Sequence, residues 1–85
     1  MTVKLTEKVT KELTKLDKQV TRAIIAYLKK IEKLEDPRSR GKELTGPLAG
    51  LWRYRVADYR LICHINDADS IILVLNIGHR KNIYE

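Results

Sequence analysis

The chain contains little of what builds disulfide-linked, metal-binding or membrane proteins. Its 85 residues include one cysteine, Cys63, which excludes an internal disulfide and cysteine-rich metal clusters. No apolar run approaches the roughly 20 residues that a membrane-spanning helix requires. The first residues, MTVKLTEKVTKEL, lack the apolar segment of a secretory signal. We therefore expect a cytoplasmic protein that forms a single domain over residues 1–85 and contacts neither metal nor membrane.

Acidic residues are also scarce, with 11 Asp and Glu against 17 Lys and Arg, so the net charge is +6. A strongly basic chain favours a polyanionic partner, and nucleic acid is the first candidate. Residues 1–36 hold eight Lys and one Arg, whereas residues 37–85 hold six Arg and two Lys. Arginine is suited to bidentate contacts with phosphate, so the second half is predicted to carry the site.

Neither Gly nor Pro interrupts the first 35 residues, and apolar residues recur there in helical steps of three and four. Periodicity alone permits one helix of about 30 residues. Asp17 could instead cap a second helix, and a compact domain favours this helical hairpin. Residues 3–5 predict a short first strand, and Thr6 is the expected N-cap of the helical region.

The rest of the chain predicts a loop followed by three strands. Residues 36–50, DPRSRGKELTGPLAG, hold both prolines and three of the four glycines, so they are interpreted as a loop. Strands are expected over residues 51–56 and 59–65, joined by Ala57 and Asp58. A third strand over residues 70–77, ended by Gly78, is predicted to be covered on both faces. This order predicts an α+β fold with the helices on one face of the sheet.

The segment GLWRYRVADYR concentrates arginine in the predicted hairpin. Side chains alternate across a strand, so Arg53 and Arg55 lie on the face opposite Trp52. A two-residue turn at Ala57 and Asp58 would place Arg55 opposite Arg60, so one face carries all three arginines. The other face would then be a core made of Trp52, Tyr54, Val56, Tyr59, Leu61 and Cys63.

Paired arginines are unfavourable by ~0.2–1 kcal/mol when they lie directly opposite each other. Such a cluster makes physical sense when an anion such as a nucleic acid phosphate binds it. The competing interpretation is a solvated sheet face whose charge is balanced by Asp58, Asp67 and Asp69.

The chain ends with further candidates for a site. Arg80 is predicted to reach the same face from the end of the last strand. His79 can exchange a proton near neutral pH, although an ordinary surface histidine is the favoured interpretation of this residue taken alone. Tyr84 can donate or accept a hydrogen bond, or stack on a base. His64 has no evident partner and is interpreted as structural or solvent-facing.

The stretch LTGPLAGLWRYRVADYRLICHI, an apolar strand and the tail IGHRKNIYE together resemble the RelE branch of the RelE/ParE superfamily of toxins. The resemblance spans nearly the whole chain. It implies two helices packed on a mainly antiparallel four-stranded sheet. It also implies a type II toxin that binds a RelB-like antitoxin, needs no cofactor, and cuts messenger RNA on the ribosome through attack of a 2′-hydroxyl on the adjacent phosphate.

By motif position, the resemblance implies that Arg53, Arg55, Arg60 and Arg80 orient the RNA and stabilise charge on the scissile phosphate. Tyr84 would stack on a base or assist proton transfer. Well-known RelE members have lysines at the positions of Arg53 and Arg55, and arginine cannot serve as a base. The general base would then be His79 or Tyr84, or the ribosome would supply positioning without a strong base.

Two other functions fit the same sequence. A ParE-like inhibitor of DNA gyrase would be a binding module without chemistry of its own, on the same fold. A basic RNA-binding or structural protein is the third possibility. Since the fold is shared, function has to be argued from the site.

Overall fold

In the computed structural model, which describes residues 1–79, a five-stranded sheet carries two helices. The elements in chain order are β1 (Thr2–Leu5), α1 (Glu7–Lys15), α2 (Lys18–Glu32), β2 (Lys42–Glu43), β3 (Trp52–Val56), β4 (Tyr59–Asn66) and β5 (Ile71–His79). The strand order is β1-β5-β4-β3-β2, and only β1 and β5 pair in parallel. The predicted α+β fold is confirmed. The sheet has a fifth strand because the predicted loop contains β2.

Two side-chain caps divide the helical region into a hairpin, as predicted. Thr6 Oγ1 accepts a hydrogen bond from Val9 N–H at 3.2 Å at the start of α1. Asp17 Oδ1 accepts one from Gln19 N–H at 2.8 Å at the start of α2. Each cap satisfies one of the backbone donors left free in a first helical turn. Neither helix is long and apolar enough to cross a membrane, within the described residues.

The β3–β4 hairpin has the predicted register. Val56 lies opposite Tyr59 and Arg55 opposite Arg60, which leaves Ala57 and Asp58 as a two-residue turn. Ala57 has a φ of 53°, in the left-handed region that tight hairpin turns require. Alanine adopts this backbone at a cost, which explains why the pair is an unusual turn sequence.

The helices pack on one face of the sheet and enclose the core. Tyr54 is fully buried, its ring lies 5.9 Å from that of Tyr27 on α2, and its hydroxyl donates to the Pro37 carbonyl at 2.8 Å. Trp52 is only half-buried, and its indole Nε1 donates to the Arg40 carbonyl at 2.8 Å. The predicted core is confirmed at its centre, at Tyr54, Val56, Leu61 and Cys63, whereas Trp52 and Tyr59 lie at its margin.

The loop between α2 and β3 approaches the sheet closely where β2 pairs with β3. Gly41 has a φ of 81°, and a Cβ there would overlap the Arg53 carbonyl and the Trp52 indole. Only glycine combines this backbone conformation with this approach. Gly41 therefore allows β2 to extend the sheet.

Two predictions for the last strand are wrong. Gly78 does not end β5, which continues to His79. The strand is not covered on both faces, because Ile72, Val74 and Ile77 are buried while the other side chains are only half-buried. A bulge in the β4–β5 pairing explains the irregular pattern: Ile62 pairs with Asn76, but Cys63 pairs with Val74. The bulge reverses which residues of β5 face the helices.

Candidate functional site

Three arginines lie on the sheet face turned away from the helices. Arg53 and Arg55 belong to β3, and Arg60 belongs to β4 directly opposite Arg55. On its other side Arg60 pairs with Gly78 of β5, which brings no side chain to this position. We call Arg53, Arg55 and Arg60 the arginine face. The sequence-predicted cluster is thus brought together by the hairpin register.

The two-residue strand β2 adds a fourth cation. Lys42 is exposed and lies directly opposite Arg53. Directly opposed residues point to the same side of a sheet, so Lys42 extends the arginine face to the sheet edge. Lys42 is not among the residues predicted from the sequence, because residues 36–50 are interpreted there as a loop. A strand of two residues among glycines and prolines leaves no periodic signal.

The acidic residues proposed as charge-balancing neighbours are engaged elsewhere or lie at the turn. Asp67 accepts two hydrogen bonds from Arg38, at 2.8 and 3.0 Å, and these hold the pKa of Asp67 below its usual range. Asp69 accepts from the Asn66 side chain at 3.0 Å. Asp58 is exposed in the hairpin turn. None of the ion pairs within residues 1–79 includes an arginine of the arginine face.

Arg60 also contains an unsatisfied donor. Its side-chain Nε is buried and has no hydrogen-bond acceptor in the described part of the chain. Leaving a buried donor unsatisfied costs roughly 1–3 kcal/mol. A phosphate oxygen could satisfy this donor with a charge-assisted hydrogen bond once the Arg60 side chain turns to expose Nε, which is buried in this conformation. The position is therefore suited to hold an anion at the centre of the arginine face.

The structure does not bring His79 to the arginine face. His79 lies opposite Tyr59, and their ring centroids are 5.6 Å apart at an interplanar angle of 80°. Tyr59 lies on the face of the hairpin that also carries Leu61 and the core. Arg60 and Gly78 form the next pair along the two strands and therefore lie on the opposite face of the sheet. His79 is thus separated from the arginines by the thickness of the sheet.

Arg80 and Tyr84, the other two candidates near the end of the chain, lie outside the described residues. Their roles remain predictions from the sequence. Arg80 follows His79 directly in the chain.

His64 shares the side of β4 that carries Arg60, four residues further along the strand. It is exposed, and four residues of strand separate the two side chains by about 13 Å. The period-two pattern of β4 could have located His64 on this face in the sequence. Among residues 1–79, no group of three His, Cys, Asp or Glu side chains is arranged to hold a metal ion.

Cys63 is not suited to nucleophilic chemistry. It is fully buried in the core, and burial raises the pKa of its thiol to about 12. The thiol therefore stays protonated at neutral pH, and the thiolate is the reactive form. Its interpretation as a small core residue is confirmed.

A family model described as the ParE toxin of the type II toxin–antitoxin system parDE matches residues 3–84. The chain belongs to the RelE/ParE superfamily of toxins. The family to which the chain belongs is therefore the one that the sequence resemblance indicated.

Relatives of this toxin include members of both bacterial and archaeal systems. Toxin RelG of Mycobacterium tuberculosis is 30% identical over 83 residues, which cover 98% of this chain and 94% of RelG. The toxin–antitoxin complex RelBE2 of M. tuberculosis contains a chain with a TM-score of 0.83 and 29% identity, covering 93% of this chain and 96% of that one. The archaeal RelE–RelB complex of Pyrococcus horikoshii contains a chain with a TM-score of 0.74 and 32% identity. The match covers 95% of this chain and 96% of that one.

Proposed function

We propose that this RelE/ParE toxin is a ribosome-dependent endoribonuclease that cleaves messenger RNA in the cytoplasm and is neutralised by a RelB-like antitoxin. The observation that carries the proposal is the arginine face, where three arginines share one side of the hairpin and form no ion pair within residues 1–79. A protein gains nothing in stability from such a cluster, since directly opposed like charges repel. A bound phosphodiester backbone removes the repulsion.

The reaction is a transesterification within the RNA. The ribose 2′-oxygen attacks the adjacent phosphorus, so the bond from phosphorus to O2′ forms and the bond to O5′ breaks. The 2′-hydroxyl gives its proton to a base, and the leaving O5′ takes up a proton. The products are a 2′,3′-cyclic phosphate and a 5′-hydroxyl. Negative charge increases on the non-bridging phosphate oxygens during the attack, and that charge is what arginines can stabilise.

Arg60 is assigned to the scissile phosphate because its buried Nε lacks an acceptor within the described chain. Arg80 is assigned to the same phosphate from its motif position alone. Arg53 and Arg55, joined by Lys42, would hold the flanking phosphates and set the register of the RNA. Arginine contacts of this kind position a strand without reading its bases.

Proton transfer is assigned to Tyr84 first and to His79 second. Arginine does not give up its proton in proteins, so the arginine face cannot supply the base. The ring of His79 packs against Tyr59 on the other side of the sheet, so it would have to act around the end of β5. Tyr84 would otherwise stack on a base of the message, as the resemblance implies.

A second candidate function is inhibition of DNA gyrase by a toxin that binds without chemistry. The observation that favours it is the matching family model, which describes a ParE toxin. On this function the basic residues would contact gyrase or its DNA, and no RNA cleavage would follow.

A short pulse of expression without antitoxin distinguishes RNA cleavage from gyrase inhibition. We expect protein synthesis to stop within minutes and new messenger 5′ ends to map inside coding regions of translated transcripts. Expression of the Arg60→Ala variant in the same way should produce no new ends. Continued translation together with a loss of negative plasmid supercoiling would establish the gyrase function instead.

A further inference from the structure

Asn76 is the only polar residue in the apolar run of β5 over residues 71–77. Asparagine is depleted in strands, so the formation of β5 does not account for it. The register places Asn76 opposite Ile62, whose two neighbours on β4 are buried in the core, so Ile62 faces away from the helices. Asn76 therefore lies on the same side of the sheet as the arginine face.

The amide group of Asn76 has no partner within residues 1–79, although the residue is half-buried. Asn66 of β4 shows the contrast, because its side chain donates to the Asp69 carboxylate at 3.0 Å and accepts from the Asp69 N–H at 3.1 Å. Those bonds hold the turn between β4 and β5. Asn76 stabilises neither a turn nor the bulge beside it, so its acceptor and two donors are available to a ligand.

Asn76 and the arginines occupy two adjacent rows across the sheet. One row consists of Arg55, Arg60 and Gly78, and the next consists of Arg53, Ile62 and Asn76. Asn76 is thus a diagonal neighbour of Arg60, at about 7–8 Å, which long side chains and a bound nucleotide can span. Ile62 is only 3% exposed and makes the centre of the second row apolar. A hydrogen bond to Asn76 is strengthened by this surrounding.

Gly78 leaves the backbone of β5 bare between Arg60 and Asn76. It lies opposite Arg60 and two residues from Asn76 on the same side of the strand. Glycine inside a strand often marks a place where a ligand approaches closely, and a planar base can lie on the sheet here with its edge toward Asn76. Each RNA base presents a donor beside an acceptor on an exposed edge, which matches an amide, whereas a carboxylate of an acidic peptide only accepts.

We propose that Asn76 reads a base next to the scissile phosphate and selects adenine at that position. The side-chain NH₂ donates to N7 of adenine while the side-chain oxygen accepts from the N6 amino group, so two hydrogen bonds form together. The inference rests on the RNA cleavage of the proposed function. It adds a specificity-determining residue to the arginine face, whose contacts with phosphate carry no sequence information.

The test compares messages that differ only in the base on the 5′ or the 3′ side of the cleaved bond. Single-turnover cleavage by the full chain is measured on ribosomes that hold each message, for the parent and for Asn76→Leu, which is similar in size and has no hydrogen-bonding group. At one of the two positions we expect the parent to prefer adenine by about 5- to 100-fold, and Asn76→Leu to reduce this ratio to about twofold. Any preference of the ribosome itself is common to both proteins.

Two further variants complete the design. Asn76→Asp keeps the shape of the side chain but has no donor, so it should shift the preference from adenine to cytosine, whose N4 amino group donates to a carboxylate. It decides the question alone if circular dichroism shows that Asn76→Leu does not fold. Gln19→Ala removes an exposed amide from α2 on the helical side and should leave the ratio unchanged.

The possible outcomes separate this inference from the function on which it rests. Equal cleavage of all messages by the parent, or an adenine preference that persists in Asn76→Leu and Asn76→Asp, would overturn the role of Asn76 and leave RNA cleavage intact. A parent that cuts no message would remove both. Substitutions that change only the affinity for a co-purified antitoxin would assign Asn76 to a protein interface instead.

Discussion

Arg55 and Arg60 lie directly opposite each other on β3 and β4, and neither forms an ion pair within residues 1–79. Two cations in this arrangement oppose folding, so we expect a favourable change when either is removed. In a double-mutant cycle of Arg55→Thr and Arg60→Thr, the double variant should gain less stability than the sum of the single variants, by about 0.2–1 kcal/mol.

Urea denaturation at low and high salt measures this coupling. Salt screens charges on an exposed sheet face, so the coupling should shrink as salt is added. The pair Arg22→Thr and Arg55→Thr serves as the control, since these residues lie on α2 and on the opposite face of the sheet. Additive free energies for Arg55 and Arg60 would show that the repulsion is already relieved.

Arg60 should act mainly in the transition state of RNA cleavage. We expect Arg60→Ala to lower the single-turnover rate on ribosome-bound message by ~10²–10³-fold, while affinity for the ribosome changes little. Arg60→Lys keeps the charge but loses Nε, so it should recover only part of the rate. Arg22→Ala is a control for loss of one positive charge on the helical side. A normal rate in Arg60→Ala would remove Arg60 from the site.

Lys42 and Arg53 should position the RNA without taking part in chemistry. Each of Lys42→Gln and Arg53→Gln should weaken binding of ribosome-bound message and lower the salt dependence of the affinity by about one ion contact. The rate at saturation should remain close to that of the parent. Lys15→Gln on α1 provides a substitution of the same type away from the face. A salt dependence unchanged by Lys42→Gln would place β2 outside the RNA path.

Tyr84 and His79 should differ in the chemical step. We expect Tyr84→Phe to lower the cleavage rate and to change its pH–rate profile, because the phenol carries the proton in our assignment. His79→Phe should preserve the ring contact with Tyr59 and retain more activity than Tyr84→Phe. His79→Ala loses that contact as well, so its effect on stability is measured separately by thermal unfolding. The assignment is reversed if His79→Phe alone alters the profile.

Burial of Cys63 should make the fold less stable at alkaline pH. Its thiol has a pKa raised from 9.0 to about 12 in the folded chain, so above pH 9 the unfolded state releases a proton that the folded state keeps. The free energy of unfolding should therefore fall with pH above this value, by up to about 1.4 kcal/mol per pH unit.

The comparison variant for this effect is Cys63→Val, which keeps an apolar group of similar size and removes the titration. Urea denaturation between pH 8 and 10 should show a shallower decline for Cys63→Val than for the parent. Burial also raises the pKa of Tyr54 from 10.0. Its effect on the free energy of unfolding therefore falls mostly above this pH range. Parallel curves would show that the thiol already ionises in the folded chain.

The arginine face could be predicted from the sequence because its cause is local. A two-residue turn and the alternation of Trp52, Tyr54 and Val56 determine the partner of every residue in the hairpin. The caps Thr6 and Asp17 are likewise local, and they divided the helices as expected. In each case, residues within a few positions of one another carry the information.

Lys42 and His79 could not be placed in this way. The strand that contains Lys42 exists because Gly41 lets the chain approach β3, and the propensity of its own two residues is too weak to predict it. The face of His79 depends on a bulge between β4 and β5, which reverses the alternation that Ile72 and Val74 begin. Both features arise from pairing across the sheet, and neither has a signature in a short window of sequence.

At the β1 edge of the sheet, Val3 N–H donates to the Glu32 carboxylate at 2.8 Å, and this contact bears on how the chain behaves when it is alone. An uncovered strand edge is a template for indefinite stacking of like molecules, and proteins often blunt such edges with charge. Here one carboxylate occupies an outward backbone donor, and the cations of α2 keep like edges apart. The same few residues therefore disfavour pairing of this edge with the edge of a second copy.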